Sequence, residues 1–238
     1  MLVVRKHTMG DIVQLTPENT VLMSYYRNNC LHGVILPALL ACCFVNSRKL
    51  GSSRPGRLLK ILYPFLRDEL QLEWDEKSFA ENLSIYINQL IELGLLKKVG
   101  NSLQRPDRSD QQYLPLIRLA QIVQPILERY CMTFVVLWQS SSHPLTESEV
   151  EQQCHLLAQK ISMGYGINSP DFFDRALFLH FLKTMQKKNY LTINKKFEFT
   201  DFFDHISLDL RNLLSVEVRS SILSLTRDNL PVSPVGKH

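Results

Sequence analysis

A cluster of polar residues at the start of a long apolar segment contains the side chains best suited to bind a ligand. Arg27, Asn28 and Asn29 form this cluster with His32, which stands about one helical turn further on. Because arginine binds phosphate or carboxylate through paired hydrogen bonds, the cluster could line an anion pocket. The same groups, once buried, would need one another as hydrogen-bond partners. We favour this second interpretation, in which the cluster anchors a neighbouring domain.

Two histidine–aspartate pairs could bring an imidazole beside a carboxylate, as general-base catalysis requires. His205 and Asp209 stand four residues apart, as do His7 and Asp11. At this spacing a surface hydrogen bond is the commoner outcome. The sequence contains no Gly-x-Ser-x-Gly elbow, no phosphate loop and no His-Glu-x-x-His zinc helix. We therefore predict no catalytic residue, no metal site and no cofactor.

The composition is that of a globular protein, with 238 residues, 45% of them hydrophobic, and a net charge of +4. It excludes a disordered chain, and the dispersed basic residues give nucleic-acid binding no electrostatic support. No Cys-x-x-Cys pair occurs, so we expect buried thiols in a reducing compartment rather than disulfides or a zinc ribbon. We also expect no signal peptide. The cysteines are Cys30, Cys42, Cys43, Cys131 and Cys154.

The pattern of apolar residues predicts a mainly α fold, a bundle of about seven helices with two small β-hairpins. Residues 1–15 contain two short extended pieces that cannot form a sheet alone, and we interpret them as the end of something larger rather than the start of a domain. Residues 16–106 and 107–230 are predicted as two helical subdomains, each with a hairpin, joined by a polar linker over residues 107–112. Residues 231–238 are predicted to be a disordered tail.

Two of the predicted helices contain stretches that are apolar on all sides. The first helix begins at Thr16-Pro17 and contains residues 31–45, and Pro37 should kink it. The second is predicted to run from about residue 114 to 139, kinked at Pro125, with residues 131–138 apolar. A helix apolar all round is buried in protein or touches lipid, and we favour a core helix over interfacial membrane contact.

Capping residues mark the ends of the other helices. We expect Asp75 to cap a helix that ends at Gly94, and the Thr146-x-x-Glu149 capping box to open another. Ser169-Pro170-Asp171 should open the next helix, and a final helix should run from Thr200 to near Thr226.

A faint internal repeat with an offset of 95 residues aligns Gly94 with Asn189, the two residue types that tolerate a left-handed helix cap. Each copy comprises a helix, a cap and a small hairpin. This is also the outline of a winged-helix unit, so an interaction or nucleic-acid-binding module is our alternative hypothesis. The dispersed charge favours a packing role instead.

Several segments resemble, in the same order, the helical region that follows the catalytic domain in bacterial membrane-bound glycerol-3-phosphate acyltransferases. The resemblance spans about residues 20–225. The segments are YYRNNCLHGVILPALLACCF (residues 25–44), LYPFLRDEL (62–70), YLPL (113–116), LERY (127–130) and NSPDFFD with ALF (168–178).

The resemblance implies an enzyme that transfers a fatty acyl group from acyl carrier protein or coenzyme A to the first hydroxyl of sn-glycerol 3-phosphate. It also implies a peripheral location at the cytoplasmic face of the inner membrane. The family's catalytic base is a histidine followed five residues later by an aspartate. No histidine of this chain has an aspartate at that position; the residues found there are Ile12, Pro37, Ser148, Lys160, Met185 and Leu210.

The resemblance leads us to expect the C-terminal helical region of such an enzyme, inactive alone, with residues 1–15 as the remnant of the preceding acyltransferase domain. Its expected partners are the missing acyltransferase domain or its equivalent and the cytoplasmic membrane surface, with no nucleic acid. The complete enzyme would use acyl-ACP or acyl-CoA and glycerol 3-phosphate. We expect residues 31–45 and 131–138 to form the docking face.

Overall fold

A computed structural model describes residues 2–6, 10–72, 74–75, 78–139, 146–165, 174–193, 197–199, 210 and 212–227. Eight helices lie in this part of the chain, so the predicted mainly α fold is confirmed. They are α1 (Pro17–Cys42), α2 (Ser53–Leu70), α3 (Phe79–Glu92), α4 (Tyr113–Gln121), α5 (Gln124–Gln139), α6 (Glu147–Tyr165), α7 (Arg175–Lys187) and α8 (Val216–Arg227).

Seven short strands form three small antiparallel sheets in the described residues. They are β1 (Leu2–Arg5), β2 (Ile12–Leu15), β3 (Lys49–Gly51), β4 (Lys97–Val99), β5 (Ser102–Gln104), β6 (Leu191–Ile193) and β7 (Phe197–Phe199).

Two predictions about the strands need correction. The extended pieces near the start do pair with each other, Leu2 lying opposite Leu15 in the β1–β2 ladder. The predicted β4–β5 hairpin gains a third strand, since β3 pairs with β5 in the order β3-β5-β4. The β6–β7 hairpin is as predicted, with Leu191 opposite Phe199.

Helix α1 begins as predicted and becomes buried part-way along its length. The Thr16 hydroxyl accepts the backbone N–H of Asn19 at 3.4 Å, and Pro17 takes the first position, where no N–H is needed. Tyr26 is 54% exposed, whereas Leu36 is fully buried. The core-helix interpretation of this segment is therefore confirmed.

The expectation that residues 31–45 and 131–138 form a docking face is wrong. Most side chains of the first segment, and every side chain from Cys131 to Leu137, are buried inside this chain. Of the second segment only Trp138 is exposed, at 47%. Their apolar surface is covered by the chain's own helices, against which it packs.

The long helix expected from residue 114 to 139 is in fact two helices. Helix α4 ends at Gln121, and α5 starts at Gln124, directly before Pro125. Because proline has no backbone N–H, Pro125 cannot donate to the carbonyl four residues earlier, and at the second position of α5 no such bond is needed. The residue therefore marks a break instead of a kink.

The last helix also starts later than expected. The described part of the predicted Thr200–Thr226 helix is interrupted at Leu214 and Ser215, and α8 begins at Val216. Ser215 accepts the backbone N–H of Val218 through its hydroxyl at 3.3 Å, as an N-terminal cap does. The predicted starts at Ser169 and Thr200, and the predicted tail, lie outside the described residues.

Of the other predicted helix ends, the capping box at Thr146 and the left-handed position at Gly94 are confirmed. Asp75 Oδ1 accepts the backbone N–H of Ser78 at 2.8 Å, but the capping residue of α3 is Ser78, three residues after the predicted one. The capping box is formed, since Glu149 Oε2 accepts the Thr146 N–H at 2.7 Å. In the described residues α7 starts after Asp174, whose carboxylate accepts the N–H of Ala176 at 2.8 Å.

Both copies of the internal repeat end their helix in the same way. Gly94 has φ +72° and Asn189 has φ +57°. Leu95 donates its N–H to Leu90 in the first copy and Tyr190 donates to Met185 in the second, each at 2.9 Å. These are the bonds of the Schellman motif, which needs a left-handed residue after the helix.

One hydrophobic cluster joins residues on both sides of the polar linker at 107–112. It includes Leu39 of α1, Phe65 of α2, Phe134 of α5 and Phe181 of α7. The division into two subdomains remains a prediction.

Candidate functional site

The predicted polar cluster lies on α1, at the point where this helix enters the core. Arg27, Asn28 and Asn29 are helical, and their side chains lie outside what the structure describes. His32 is exposed and lines a cavity of about 330 Å³. The other lining residues are Gly33, Gln71, Leu72 and Trp74. Both interpretations of these four residues, an anion pocket or an anchor for a neighbouring domain, stay predictions.

The two histidine–aspartate pairs cannot be placed, because His7, His205 and Asp209 lie outside the described residues. Of the described histidines, His32 and His180 are exposed, and neither has an ion pair with a described carboxylate. No group of three or more metal-ligating side chains is found in the part of the chain that the structure describes. None of its described helices combines the length and apolar character that crossing a bilayer requires.

A buried ion pair that the sequence reasoning missed connects α2 with α5. Glu69 and Arg129 bond through Oε1 and Nη2, and their side chains are only 6% and 2% exposed. Tyr130 donates its hydroxyl to the other carboxylate oxygen of Glu69 at 2.9 Å. Burial raises the pKa of Tyr130 well above its usual value, which keeps the phenol protonated as a donor. Both oxygens of the buried carboxylate are therefore bonded.

Aromatic rings pack next to Tyr130, which donates to Glu69 of this ion pair. Tyr130 stacks on Phe181 of α7 with ring centroids 4.1 Å apart and planes 10° apart. Phe65 of α2 lies 5.0 Å from Phe181, and Phe134 meets the same ring edge-on at 5.5 Å. Such contacts add to the burial of apolar area. The charged pair and the aromatic cluster together fasten α2, α5 and α7.

This arrangement brings together segments that carried the resemblance. Glu69 belongs to the LYPFLRDEL segment, and Arg129 and Tyr130 belong to LERY. The signal was present in the sequence, since Glu128 and Arg129 are the only charged residues of α5. The 60-residue separation of the partners, however, hid which acid meets which base.

A second buried polar group joins α1 to the start of α5 and to the residues before α8. The Cys42 thiol donates to the Ala120 carbonyl at 3.4 Å, and Gln124 Nε2 donates to the Leu213 carbonyl at 2.8 Å. At the surface, Asn46 Nδ2 donates to the Asn212 carbonyl at 2.8 Å. The two buried bonds satisfy carbonyls near helix ends, and all three bonds hold the fold together.

Four of the cysteines are buried, as predicted, and none of the five forms a disulfide. Cys30 is the exception, because it lies on the exposed early part of α1. Burial raises the pKa of the Cys43 and Cys154 thiols to about 12. A thiol that stays protonated is a weak nucleophile, so these two are structural.

Glu128 is a buried carboxyl next to the ion pair in sequence. Its side chain points into the core at 6% exposure, and burial raises its pKa to about 7. Near neutral pH this carboxyl group is thus present in both its protonated and its ionised form. It is the most strongly perturbed carboxyl found in the described residues, and it lines none of the clefts described here.

Comparison with known protein families identifies the family of this chain. A model described as the C-terminal region of glycerol-3-phosphate acyltransferase matches residues 1–194. The chain belongs to this family.

Individual relatives agree with the family assignment. A glycerol-3-phosphate acyltransferase of Pseudomonas entomophila (strain L48) is 34% identical over 239 residues, which cover 98% of this chain and 29% of the relative. That of Pseudomonas paraeruginosa (strain DSM 24068 / PA7) is 36% identical over 185 residues, covering 78% of this chain and 22% of the relative. The chain thus spans less than a third of these relatives.

Proposed function

We propose that this chain is a non-catalytic supporting part of a glycerol-3-phosphate acyltransferase. The reaction of the complete enzyme would be acyl transfer from acyl-ACP or acyl-CoA to the first hydroxyl of sn-glycerol 3-phosphate, the first step of phospholipid synthesis. The catalytic histidine and aspartate would come from a preceding acyltransferase domain or an equivalent separate chain. The complete enzyme would act at the cytoplasmic face of the inner membrane.

The observation that carries this proposal is the place in the fold of the segments that resemble the family. Two of them supply Glu69, Arg129 and Tyr130, which form the buried ion pair and the stack on Phe181 that hold α2, α5 and α7 together. Residues that a catalytic centre needs must reach a substrate. What this chain shares with its relatives therefore supports a structural role.

A different surface from the one expected is suited to meet the acyltransferase domain. Apolar side chains are exposed along the β1–β2 ladder and the first turns of α1, where large exposed apolar patches favour association. Val4 and Val13 are 57% and 58% exposed, and Tyr26 is 54% exposed. We call this the N-terminal apolar surface; it consists of Val4, Val13, Leu22, Met23 and Tyr26.

A chimeric enzyme tests the proposal. The matching region of the Pseudomonas entomophila relative is replaced by this chain, and acyl transfer to glycerol 3-phosphate is measured. We expect the chimera to be active and Val4→Asp/Val13→Asp to lower its activity at least tenfold, since charges would be placed in an apolar contact. Met163→Asp is the matched control, because Met163 is 86% exposed on α6 and should tolerate a charge.

Circular dichroism and thermal unfolding of the isolated chain check that these variants fold. If the folded chain with Val4→Asp/Val13→Asp supports full activity in the chimera, the proposed contact is wrong. If the chimera stays active after the catalytic histidine of the relative is replaced, the proposed division of labour is wrong.

A further inference from the structure

A groove with unpaired cationic side chains runs between α7 and the end of α2. On α7, His180, Lys183, Thr184 and Lys187 follow at spacings of three, one and three residues, which places them on one helical face. They line a cleft of about 350 Å³ together with Asp68 of α2. The cleft is therefore a product of two helices packed side by side.

A second cleft of about 540 Å³ continues the first. Its lining includes Asp68 and Lys187 again, and adds Arg67, Gln71 and Leu72. Arg67, Lys183 and Lys187 give three positive charges against the single negative charge of Asp68, a net charge of +2 with His180 neutral. Within the described residues none of these three cations has an ion pair.

The stabilisation of helix ends explains only part of this arrangement. Arg67 and Lys187 lie in the last turns of their helices, where a cation offsets the negative end of the helix dipole. Lys183 and His180 lie one and two turns earlier, beyond the reach of that effect. Lys187 lines both clefts, with Lys183 beside it in the first and Arg67 beside it in the second, and this row of cations is what points to a bound anion.

The far end of the groove has a different character. Gln71 and Leu72 also line the cavity that contains His32, Gly33 and Trp74. Gln71 adopts φ +52°, a left-handed conformation that glycine adopts more easily. Here it closes α2 and carries an amide group to the boundary between the cationic clefts and the aromatic cavity.

We propose that this groove binds a phosphate ester, with the phosphate between Arg67, Lys183 and Lys187 and the organic part directed toward Trp74. Guanidinium and ammonium groups are the side chains that bind a phosphate group in proteins. The ligand is either a soluble phosphate ester or the headgroup of a phospholipid. The site is separate from acyl transfer and does not depend on the function proposed above.

Isothermal titration calorimetry of the full chain at constant ionic strength tests the site, with inorganic phosphate and phenyl phosphate as probes. We expect both to bind in a saturable way and phenyl phosphate to bind more tightly, because its ring reaches the Trp74 cavity. Lys183→Gln/Lys187→Gln should weaken both probes about tenfold, as expected for two exposed ion pairs. The matched control is Lys97→Gln/Lys98→Gln, which removes two exposed lysines from β4.

Vesicles distinguish the two sources of the phosphate. Co-sedimentation is compared between neutral phosphatidylcholine vesicles and vesicles that also contain phosphatidic acid. Binding of phosphatidic acid that the Lys183/Lys187 variant loses identifies a lipid headgroup; binding of the soluble probes without the vesicles identifies a soluble ester. The proposal is overturned if neither is bound, or if the control variant weakens binding as much as the groove variant.

Discussion

The buried ion pair between Glu69 and Arg129 allows a sharp test of how α2 and α5 are held together. Arg129→Met keeps an aliphatic side chain but removes the guanidinium, which leaves the Glu69 carboxylate only 6% exposed and without its counter-charge. Breaking a buried pair in this way costs about 3–5 kcal/mol, because the remaining charge stays poorly solvated. Single domains unfold with about 5–15 kcal/mol, so we expect Arg129→Met to lose a large part of the free energy of unfolding.

Urea unfolding, followed by circular dichroism at 222 nm and tryptophan fluorescence, measures this loss. With slopes of about 1–3 kcal/mol per molar urea, the midpoint should fall by about 1 M or more. The matched control is Arg48→Met. Arg48 pairs with Asp107 at 2.9 Å, but both side chains are 57% exposed, and such pairs contribute about 0–1 kcal/mol.

A double variant tests whether the loss of stability comes from the unpaired charge of Glu69. Glu69→Gln/Arg129→Met removes both charges and keeps an oxygen that accepts the Tyr130 hydroxyl. Because the cost of the single variant comes mainly from the stranded charge, the double variant should be more stable than Arg129→Met. The account of this pair is refuted if Arg129→Met costs no more than Arg48→Met, or if the double variant is the less stable one.

Three further predictions concern single groups. The pKa of Glu128, raised from 4.5 to about 7, makes the fold lose about 3 kcal/mol as pH rises between these values; Glu128→Gln should remove this dependence in urea titrations at pH 4, 6 and 8. At the left-handed caps, Gly94→Ala and Asn189→Ala should each lower the free energy of unfolding by about 1 kcal/mol, whereas Asn189→Gly should not lower it. Cys30 is exposed and the other cysteines are buried, so a thiol reagent should label one thiol in the native chain and five after denaturation.

Each of these has a result that would contradict it. Equal pH dependence in Glu128→Gln and the unsubstituted chain would place the titrating group elsewhere. A neutral Gly94→Ala would show that φ +72° is not required at this cap. Fast native labelling of a second thiol, located by mass spectrometry, would show that the core around the buried cysteines opens.

The features predicted from the sequence were those whose cause is local. The Thr146–Glu149 capping box lies within four residues, and the left-handed positions at Gly94 and Asn189 follow from residue type beside the last helical turn. Pro125 was recognised as a disruption, but whether it kinks or breaks a helix depends on the packing of the residues around it.

The features that were missed depend on residues far apart in the chain. Glu69 meets Arg129 across 60 positions, and nothing in either segment names its partner. Strand β3 has three residues, too few for a period of two to be recognised, and it exists because β5 offers an edge. The expectation that residues 31–45 and 131–138 form a docking face was wrong for the same reason. An apolar segment has the same composition whether its own chain or a partner covers it.

The central claim is that this chain supports an acyl-transfer reaction without carrying its catalytic groups. The most direct test is incorporation of labelled sn-glycerol 3-phosphate into lipid by the purified chain with palmitoyl-CoA, beside the full-length Pseudomonas entomophila relative. The account predicts turnover by the relative and none above a no-protein blank by this chain. Turnover by the chain alone, abolished by replacing one of its own histidines, would contradict it.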